Sequence, residues 1–397
     1  MRLLFFLFSA VLFWTACQNN TASTATAAAQ IGATNPITLP TLLDRAEALR
    51  MGEEWDLVQN IYGQQSAVLR KNPNDAEARV KLAELFMQEA RVTGEHPHYY
   101  PAALQMLEPV ITQLSTQKNL NPAEKDLYFR ALSHKASVQL SLHAFDQARQ
   151  TAEAAIAINP YNAYIYGCLV DAQVELGQYD QAVQTCDKMV NIRPDLRSYA
   201  RVSYLREIHG DMNGAIEAMD MAVKAGYPGY EQTEWARLKL GELYQKTGKW
   251  KEAEMQYQVC LQNRPDYPFA LAALAGLAVE KGRNDEAEAL LKKAIAIIPE
   301  VGFNIDLAKL YRKTGREQEA LALIEEIKGM FQEDIAAGHN MALEAARFHL
   351  ELTKDFNQAL QFVQQEQQMR PNNKDVKQLS NEIRKAYSPQ STQSALK

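Results

Sequence analysis

The sequence predicts an all-α fold in which antiparallel helix pairs stack into a solenoid. An alanine that follows a turn recurs along the chain, at Ala148, Ala182, Ala215, Ala253, Ala287, Ala320 and Ala359. Proline recurs with it, at Pro160, Pro194, Pro265, Pro299 and Pro371. The spacing of the alanines, 33 to 39 residues, is that of a helix-pair repeat. Each unit has two segments of helical apolar spacing, and stacked units would bury those apolar faces in one continuous core.

The unit Leu240–Pro265 shows what each position contributes. Gly248 turns the chain between two helices, and the proline at the end stops the second helix. Tyr244 and Tyr257 are large enough to fill the space against the neighbouring unit. Cys260 is small and apolar, so it lets the paired helices approach closely.

This arrangement resembles the tetratricopeptide repeat, whose pattern is W-x2-L-G-x2-Y, then A-x3-F, then P, over about 34 residues. The matching residues are Leu240, Gly241, Tyr244, Ala253, Tyr257 and Pro265. Arg237 replaces the first tryptophan of the pattern. The resemblance covers about residues 76–373 and implies a right-handed superhelix. In that family the first helix of each pair lines a concave groove, where partners bind as extended peptides or as helices.

The chain is expected to divide into four segments. They are a signal peptide at 1–16, a lipidated Cys17 with a disordered tether at 17–40, a solenoid of about eight or nine units at 41–387, and a disordered tail at 388–397. Within the solenoid, the first unit is expected to be degenerate, and residues 375–387 to form a polar capping helix. The unit that begins at Ala76 carries extra residues, Val92–Tyr99, which are expected to lie between its helices.

The first seventeen residues have the form of an export signal. Arg2 precedes an apolar run, Leu3–Trp14, that is too short for a comfortable membrane span, and small residues lead to Cys17. The end of this segment resembles the lipobox of bacterial lipoproteins, although Trp14 stands where an aliphatic residue is usual. The resemblance implies cleavage before Cys17 and lipid attachment to its sulfur. The alternative is an ordinary signal peptide with an incidental cysteine.

Charge and cysteine spacing argue against some classes of site. The net charge is −6 and there is no long run of Lys or Arg, which argues against non-specific nucleic-acid binding. Besides the cysteine at position 17, the chain has Cys168, Cys186 and Cys260, whose wide spacing gives neither a disulfide framework nor a metal motif. Cys186 and Cys260 are expected to be core residues, and a Cys168–Cys186 bridge is an alternative in an exported protein.

No familiar catalytic motif occurs, so the sequence predicts a protein that is not an enzyme and needs no cofactor. Gly248-Lys249 is not expected to bind phosphate, because a helix-turn-helix context replaces the strand that precedes a phosphate loop. His96 and His98 are a weak candidate for metal binding, because no third ligand can be placed beside them. The alternative is that these histidines belong to an ordinary insertion.

The repeat register yields candidates for the residues that line the groove. They are Tyr164, Asp171, Glu175, Arg197, Tyr204, Glu207, Trp235, Glu242, Gln245, Phe269, Ile305, Lys309 and Arg312. Aromatic residues and arginine often carry binding energy. The alternative is that several of them, above all Trp235 and Phe269, pack against the preceding unit. The positions that grip a C-terminal carboxylate in chaperone-binding members of the family lack the required Lys and Asn residues.

The sequence therefore predicts a non-catalytic scaffold for protein–protein interaction, tethered to a membrane in the bacterial envelope. Its partners would be envelope proteins or peptides. Gln18 after the cysteine resembles an outer-membrane sorting signal, so the periplasmic face of the outer membrane is the expected location, with the inner membrane and the cell surface left open. The alternatives are an accessory subunit of an envelope enzyme or of glycan or secretion machinery, and a glycan-binding module.

Overall fold

The computed structural model describes residues 38–387, which contain α-helices and no β-strand. The α-helices of this part of the chain are α1 Glu54–Lys71, α2 Ala76–Thr93, α3 His96–Ser115, α4 Pro122–Ser141, α5 Phe145–Ile158, α6 Ala163–Glu175, α7 Tyr179–Ile192, α8 Leu196–Ile208, α9 Met212–Ala225, α10 Glu231–Lys246, α11 Trp250–Asn263, α12 Pro268–Glu280, α13 Asn284–Ile297, α14 Val301–Lys313, α15 Glu317–Ala336, α16 Ala342–Phe348, α17 Phe356–Met369 and α18 Lys374–Tyr387. The predicted signal peptide, Cys17, most of the predicted tether and the predicted tail lie outside the described residues. None of the described helices is both long enough and apolar enough to cross a membrane.

The helices from α2 to α17 pack as eight antiparallel pairs in chain order, α2 with α3 and so on to α16 with α17. This is the predicted right-handed α-solenoid, and α18 packs on α17 at its end. In the pair α10–α11, Gly248 has φ 75° and turns the chain, as predicted. Gly241 is needed for close packing, since a Cβ there would lie 2.3 Å from the ring of Tyr257.

The first unit has only one α-helix, because residues 38–46 form no regular secondary structure and Glu47–Leu49 form only a short 3-10 helix before α1. This segment is fixed to the helices by its backbone. Tyr62 donates a hydrogen bond to the carbonyl of Pro40 at 2.9 Å, and Gln105 donates one to that of Thr38 at 3.0 Å. Residues 38–40 are thus packed on the solenoid, which corrects the predicted end of the tether at residue 40.

Arg45 holds the segment 38–50 against α1 and α2. Its side chain is fully buried and forms two hydrogen bonds with Glu89, at 2.6 and 2.8 Å, and one with Glu54 at 2.8 Å. It also lies 5.2 Å from the ring centroid of Trp55. A buried guanidinium with paired carboxylates is costly to disrupt, so this cluster ties the segment to the first unit.

The predicted insertion Val92–Tyr99 is not a loop, which corrects the sequence expectation. Val92 is still in α2, and α3 already begins at His96. Only Gly94, with φ 73°, and Glu95 separate the two helices. The extra residues lengthen the helices to 18 and 20 residues, compared with 13 and 14 in the pair α6–α7.

Distant units of the solenoid also touch each other along an intramolecular seam. We call the turn within a unit a hairpin turn, and the connection between units a linker. Three hairpin turns of the first half, at Gly94, His143 and Gly177, lie on linkers of the second half. For example, His143 forms a 2.9 Å hydrogen bond with the carbonyl of Asn340, which is 197 positions away. The second superhelical turn therefore stacks directly on the first.

Candidate partner-binding groove

An aromatic row runs across three first helices of the later units. The ring of Trp235 on α10 packs edge-on against Phe269 on α12, with centroids 5.6 Å apart. Phe269 in turn lies 5.6 Å from Phe303 on α14. Phe303 is buried, but Trp235 keeps 41% of its surface exposed. The row therefore combines both readings of the sequence: Phe269 packs against its neighbours, while Trp235 also presents a face to solvent.

Cations and polar groups extend this surface on both sides. The Lys239 ammonium lies 4.4 Å from the ring centroid of Trp235, a cation–π distance, and also forms 2.9 and 3.0 Å hydrogen bonds with Glu242. The Arg197 guanidinium lies 5.3 Å from the ring centroid of Tyr164 and donates to Gln232 at 3.2 Å. Burial raises the pKa of Tyr164 to about 12, so this phenol is neutral.

The charge of Asp171 is neutralised by Arg201, which was not among the groove candidates predicted from the sequence. Arg201 on α8 grips the Asp171 carboxylate with two hydrogen bonds, at 2.5 and 2.9 Å, and donates a third to the carbonyl of Gly167 at 3.1 Å. A Cβ at position 167 would lie 2.9 Å from the guanidinium carbon. The glycine and the arginine lie one unit apart, but no motif position marks them, so sequence reasoning missed the pair.

Glu175 belongs to the seam instead of an open groove. Its carboxylate pairs with Arg370, which also binds the fully buried Glu366, and Asn373 donates to its backbone carbonyl at 2.9 Å. Burial raises the pKa of Glu175 to about 7, against the opposing effect of the Arg370 charge. Tyr204, which is 39% exposed, stands near this pair, and burial raises the pKa of its phenol.

Other groove candidates also have partners within the chain. Glu207 pairs with Lys246 at 2.6 Å, and Gln245 accepts a 3.2 Å hydrogen bond from Tyr257. A charged ligand could bind most of these groups only by displacing the side chain that each is already paired with. The part of the groove around α8 and α10 is thus largely neutralised by its own side chains.

The candidates on α14 line a separate small pocket against α16. Ile305 and Lys309 form one wall, and Arg347 and Phe348 form the other. Lys309 pairs with Glu351 at 2.5 Å across this pocket. Arg312, the remaining candidate on α14, donates to the carbonyl of Leu352 and pairs with Glu317 at 3.0 Å.

The histidines proposed as a weak metal site point to different neighbours. His98 contacts the carbonyl of Thr41 at 2.8 Å, whereas the ring of His96 faces His339 of the seam, 6.4 Å away between centroids. Burial, with the neighbouring His339, lowers the pKa of His96 to about 4. Among the described residues, no three His, Cys, Asp or Glu side chains are grouped in a way that could hold a metal ion.

The cysteines within the described residues are all buried and unbridged. Burial raises the pKa of Cys168 and of Cys260 to about 12, and that of Cys186 to about 11. Thiols with such pKa values are protonated and poor nucleophiles near neutral pH. They act as small core residues, and the Cys168–Cys186 alternative does not occur.

Comparison with known proteins identifies the repeat in two parts of the chain. Residues 139–206 and residues 238–302 each match a family model described as tetratricopeptide repeat. A relative, anaphase-promoting complex subunit 7 of Arabidopsis thaliana, is 28% identical over 133 residues. The match covers 33% of this chain and 23% of that relative, so the chain spans less than a quarter of its length. The helix pairs in these two parts of the chain, about a third of its length, thus match the tetratricopeptide repeat.

Several solved structures share similarity at low sequence identity. The Cut9–Hcn1 hetero-tetramer of the APC/C is 16% identical, with a TM-score of 0.44, covering 85% of this chain and 66% of that chain. A tetratricopeptide repeat protein of Parabacteroides merdae is 18% identical, with a TM-score of 0.42, covering 64% and 98%. PilW, described as a type IV pilus biogenesis factor, is also 18% identical with a TM-score of 0.42, covering 54% and 96%.

Proposed function

We propose that this protein is a non-catalytic scaffold that binds segments of other proteins along the face of its first helices. The observation that carries the proposal is the half-exposed Trp235, which Phe269 supports from one side and Lys239 from another. A rigid aromatic side chain on a packed base is the typical anchor of a protein interface.

The charge arrangement narrows the kind of partner. Asp171, Glu207 and Glu242 are each paired with a basic side chain of the same chain. A ligand would have to displace these partners to form ion pairs of its own, and exposed ion pairs gain little energy. The surface therefore favours a partner segment that presents an apolar or aromatic side chain to Trp235, with polar contacts in a supporting role.

The test compares two tryptophans of nearly equal exposure. Trp235 is 41% exposed on a first helix, and Trp250 is 43% exposed beside a hairpin turn. Proteins captured by the wild-type chain would be identified, and the affinity of their binding segments measured by calorimetry. We expect Trp235→Ala to weaken binding by about 30-fold or more, as for an interface anchor, and Trp250→Ala to leave it unchanged. Equal affinity of wild type and Trp235→Ala for every captured segment would contradict the proposal.

We also propose that the scaffold is anchored to a membrane of the bacterial envelope through lipid on Cys17, at the periplasmic face of the outer membrane. Support comes from the signal-like segment before Cys17 and from Gln18 after it. Metabolic labelling with a radioactive fatty acid should mark the wild type and not Cys17→Ser, and fractionation would give the membrane. Processing that is insensitive to globomycin would contradict the lipid anchor.

A glycan-binding or enzyme-accessory role is the second candidate, because exposed aromatic rings also stack on sugars. Trp235 is the ring most open to such a ligand on the first-helix face. Envelope glycan fragments that bind the wild type and Trp235→Ala equally would exclude Trp235 as the sugar platform.

A further inference from the structure

The seam shows how one edge of this solenoid recognises another. Hairpin turns of the first half lie on linkers of the second half, with small residues at the closest points. A Cβ at Gly177 would come within 2.4 Å of the Asn372 carbonyl carbon, and one at Gly94 within 3.5 Å of Ile298. A hairpin-turn edge and a linker edge of the same chain therefore have complementary shapes.

Cations over aromatic rings accompany this contact. The Arg370 guanidinium lies 4.8 Å from the ring centroid of Phe145, and the Lys374 ammonium lies 4.8 Å from that of Tyr179. In both cases the ring belongs to a hairpin turn of the first half and the cation to a linker of the second half. Such pairs are strongest where solvent is excluded, as at a packed edge.

The same two kinds of edge are exposed again at the opposite ends of the stack. Two linkers that follow helix pairs of the first half (α2–α9), at 159–162 and 226–230, carry the most exposed tyrosines of the described chain. Tyr161 is 84% exposed, Tyr227 is 77% exposed and Tyr230 is 70% exposed. Tyr227 and Tyr230 form a pair with ring centroids 6.1 Å apart. Exposed aromatic side chains that are grouped along one edge are typical of an interaction surface.

Hairpin turns of the second half form the other exposed edge. Among residues 38–387, nothing lies within 4 Å of a Cβ placed at Gly248, Gly282 or Gly315. Between the first two of these turns is an open cleft, lined among others by Trp250, Leu277, Lys249 and Lys281. Glutamates also line the cleft, and Lys281 is paired with Glu254 at 2.8 Å. This edge thus offers Lys249 and an apolar floor formed by Trp250 and Leu277, while the linker edge offers tyrosines.

We propose that a second copy of this chain docks its first-half linker edge on the second-half hairpin-turn edge of the first copy. The contact continues between molecules the hairpin-on-linker stacking that the seam makes within one molecule. It would also bring the Lys249 ammonium of one copy to a tyrosine ring of the other, and the tyrosines against the apolar floor of the cleft. In the seam the ring belongs to the hairpin turn and the cation to the linker, whereas here the ring would belong to the linker and the cation to the hairpin turn. The occupant of the exposed edges is therefore another solenoid of the same sequence.

This contact is heterologous, because the two copies contribute different edges. Each copy in such a pair keeps one free edge, so the pair has one free edge of each kind at its ends and further copies can add head to tail. Association should therefore grow with concentration and should not stop at a dimer. The groove formed by the first helices would run on from one copy to the next.

The test uses variants that block one edge each. Tyr227→Ala combined with Tyr230→Ala alters the linker edge, and Trp250→Ala alters the hairpin-turn edge. Met221→Ala is a control, because Met221 is 42% exposed on a second helix and lies at neither edge. Sedimentation velocity of the full chain, in detergent where lipid is attached, would give the size distribution over a range of concentrations. Circular dichroism would confirm that each variant is folded.

We expect the wild type and Met221→Ala to form a concentration-dependent series of oligomers. Each edge variant should raise the dissociation constant by about 30-fold or more, as when an aromatic anchor is removed. A mixture of the two edge variants should give a one-to-one dimer and nothing larger, because one intact contact is restored. A wild type that stays monomeric to about 0.5 mM, weaker than almost any specific interface, would overturn the proposal. So would a mixture that behaves like either variant alone.

Discussion

Two sets of hairpin turns in this solenoid have the same local sequence logic and different surroundings. The stacked turns, at Gly94, His143 and Gly177, are covered by linkers from units almost 200 positions away. The open turns, at Gly248, Gly282 and Gly315, have no such cover within the described chain. Each set includes a turn in a part of the chain that matches the repeat, Gly177 in residues 139–206 and Gly248 in residues 238–302. The difference teaches that a repeat motif determines the helix pair, whereas the surrounding units determine how much a turn contributes to stability.

The largest expected difference concerns the arginines beside the two kinds of turn. Arg370 binds Glu366, which is fully buried, and Glu175 across the seam. Arg370→Met leaves a buried carboxylate unpaired, which should lower the free energy of unfolding by about 3–5 kcal/mol in urea titration.

Arg316→Met is the matched control for this prediction. Arg316 also binds two carboxylates, Glu288 and Glu319, but it stands at an open turn with its side chain one-third exposed. Its replacement should change stability far less, because exposed ion pairs are screened by water. Equal losses in the two variants would mean that the seam contributes no more than the open edge.

The next largest effect should appear as a pH dependence. Burial at the seam lowers the pKa of His96 to about 4, compared with about 6.5 in an unfolded chain. The folded state therefore binds this proton less readily than the unfolded state. His96 should make the protein lose stability as the pH falls from 6.5 towards 4, by a total of about 3 kcal/mol.

Urea midpoints of wild type and His96→Gln at pH 7 and pH 4.5 would measure this contribution as a difference. The comparison between variants matters, because Glu175, with its pKa raised to about 7, changes stability in the opposite direction over the same range. His209→Gln is the control, since His209 is exposed to solvent. A His96→Gln protein with an unaltered pH slope would show that the seam does not hold this imidazole neutral.

The smallest and cleanest comparison uses two glycines. Gly177 and Gly248 have φ of 74° and 75°, so alanine suffers the same backbone strain at both positions. Only at Gly177 would the new Cβ collide with the backbone of Asn372. We expect Gly177→Ala to lose about 2 kcal/mol more than Gly248→Ala in thermal or urea unfolding. Identical losses would indicate that the second superhelical turn does not press on the first at this point.

The sequence was sufficient for the helix pairs because their determinants are local. Gly248 turns the chain, and Gly241 and Cys260 are small enough for close packing. In the next unit Gly282, Ala275 and Ala294 stand at the corresponding positions. The length of α2 and α3 was misjudged, since His96-Pro97-His98 looks like loop sequence but can occupy the first turn of a helix, where a proline is tolerated. Residues 38–40 were assigned to the tether, because they are held by hydrogen bonds to their backbone carbonyls, which leave no apolar period in the sequence.

The groove candidates were only partly predictable for a different reason. The repeat register placed both Trp235 and Glu175 on first helices. It could not show that Trp235 is half-exposed whereas Glu175 is paired with Arg370. Whether such a side chain is free depends on residues such as Arg201 and Arg370, which occupy positions that the motif leaves unconstrained. For Glu175 the partner lies 195 positions away, and its distance depends on the rise and curvature of the whole superhelix.

The seam also restricts how this protein can change in evolution. Solenoids usually gain or lose whole units by duplication or deletion, because each unit touches only its neighbours. Here the bonds from Glu175 to Arg370 and from His143 to Asn340 fix the number of units between those residues. Loss of one unit from that interval would shift every stacked turn onto the wrong linker. Descendants of this chain should therefore vary in unit number at the ends of the solenoid before they vary within the closed interval.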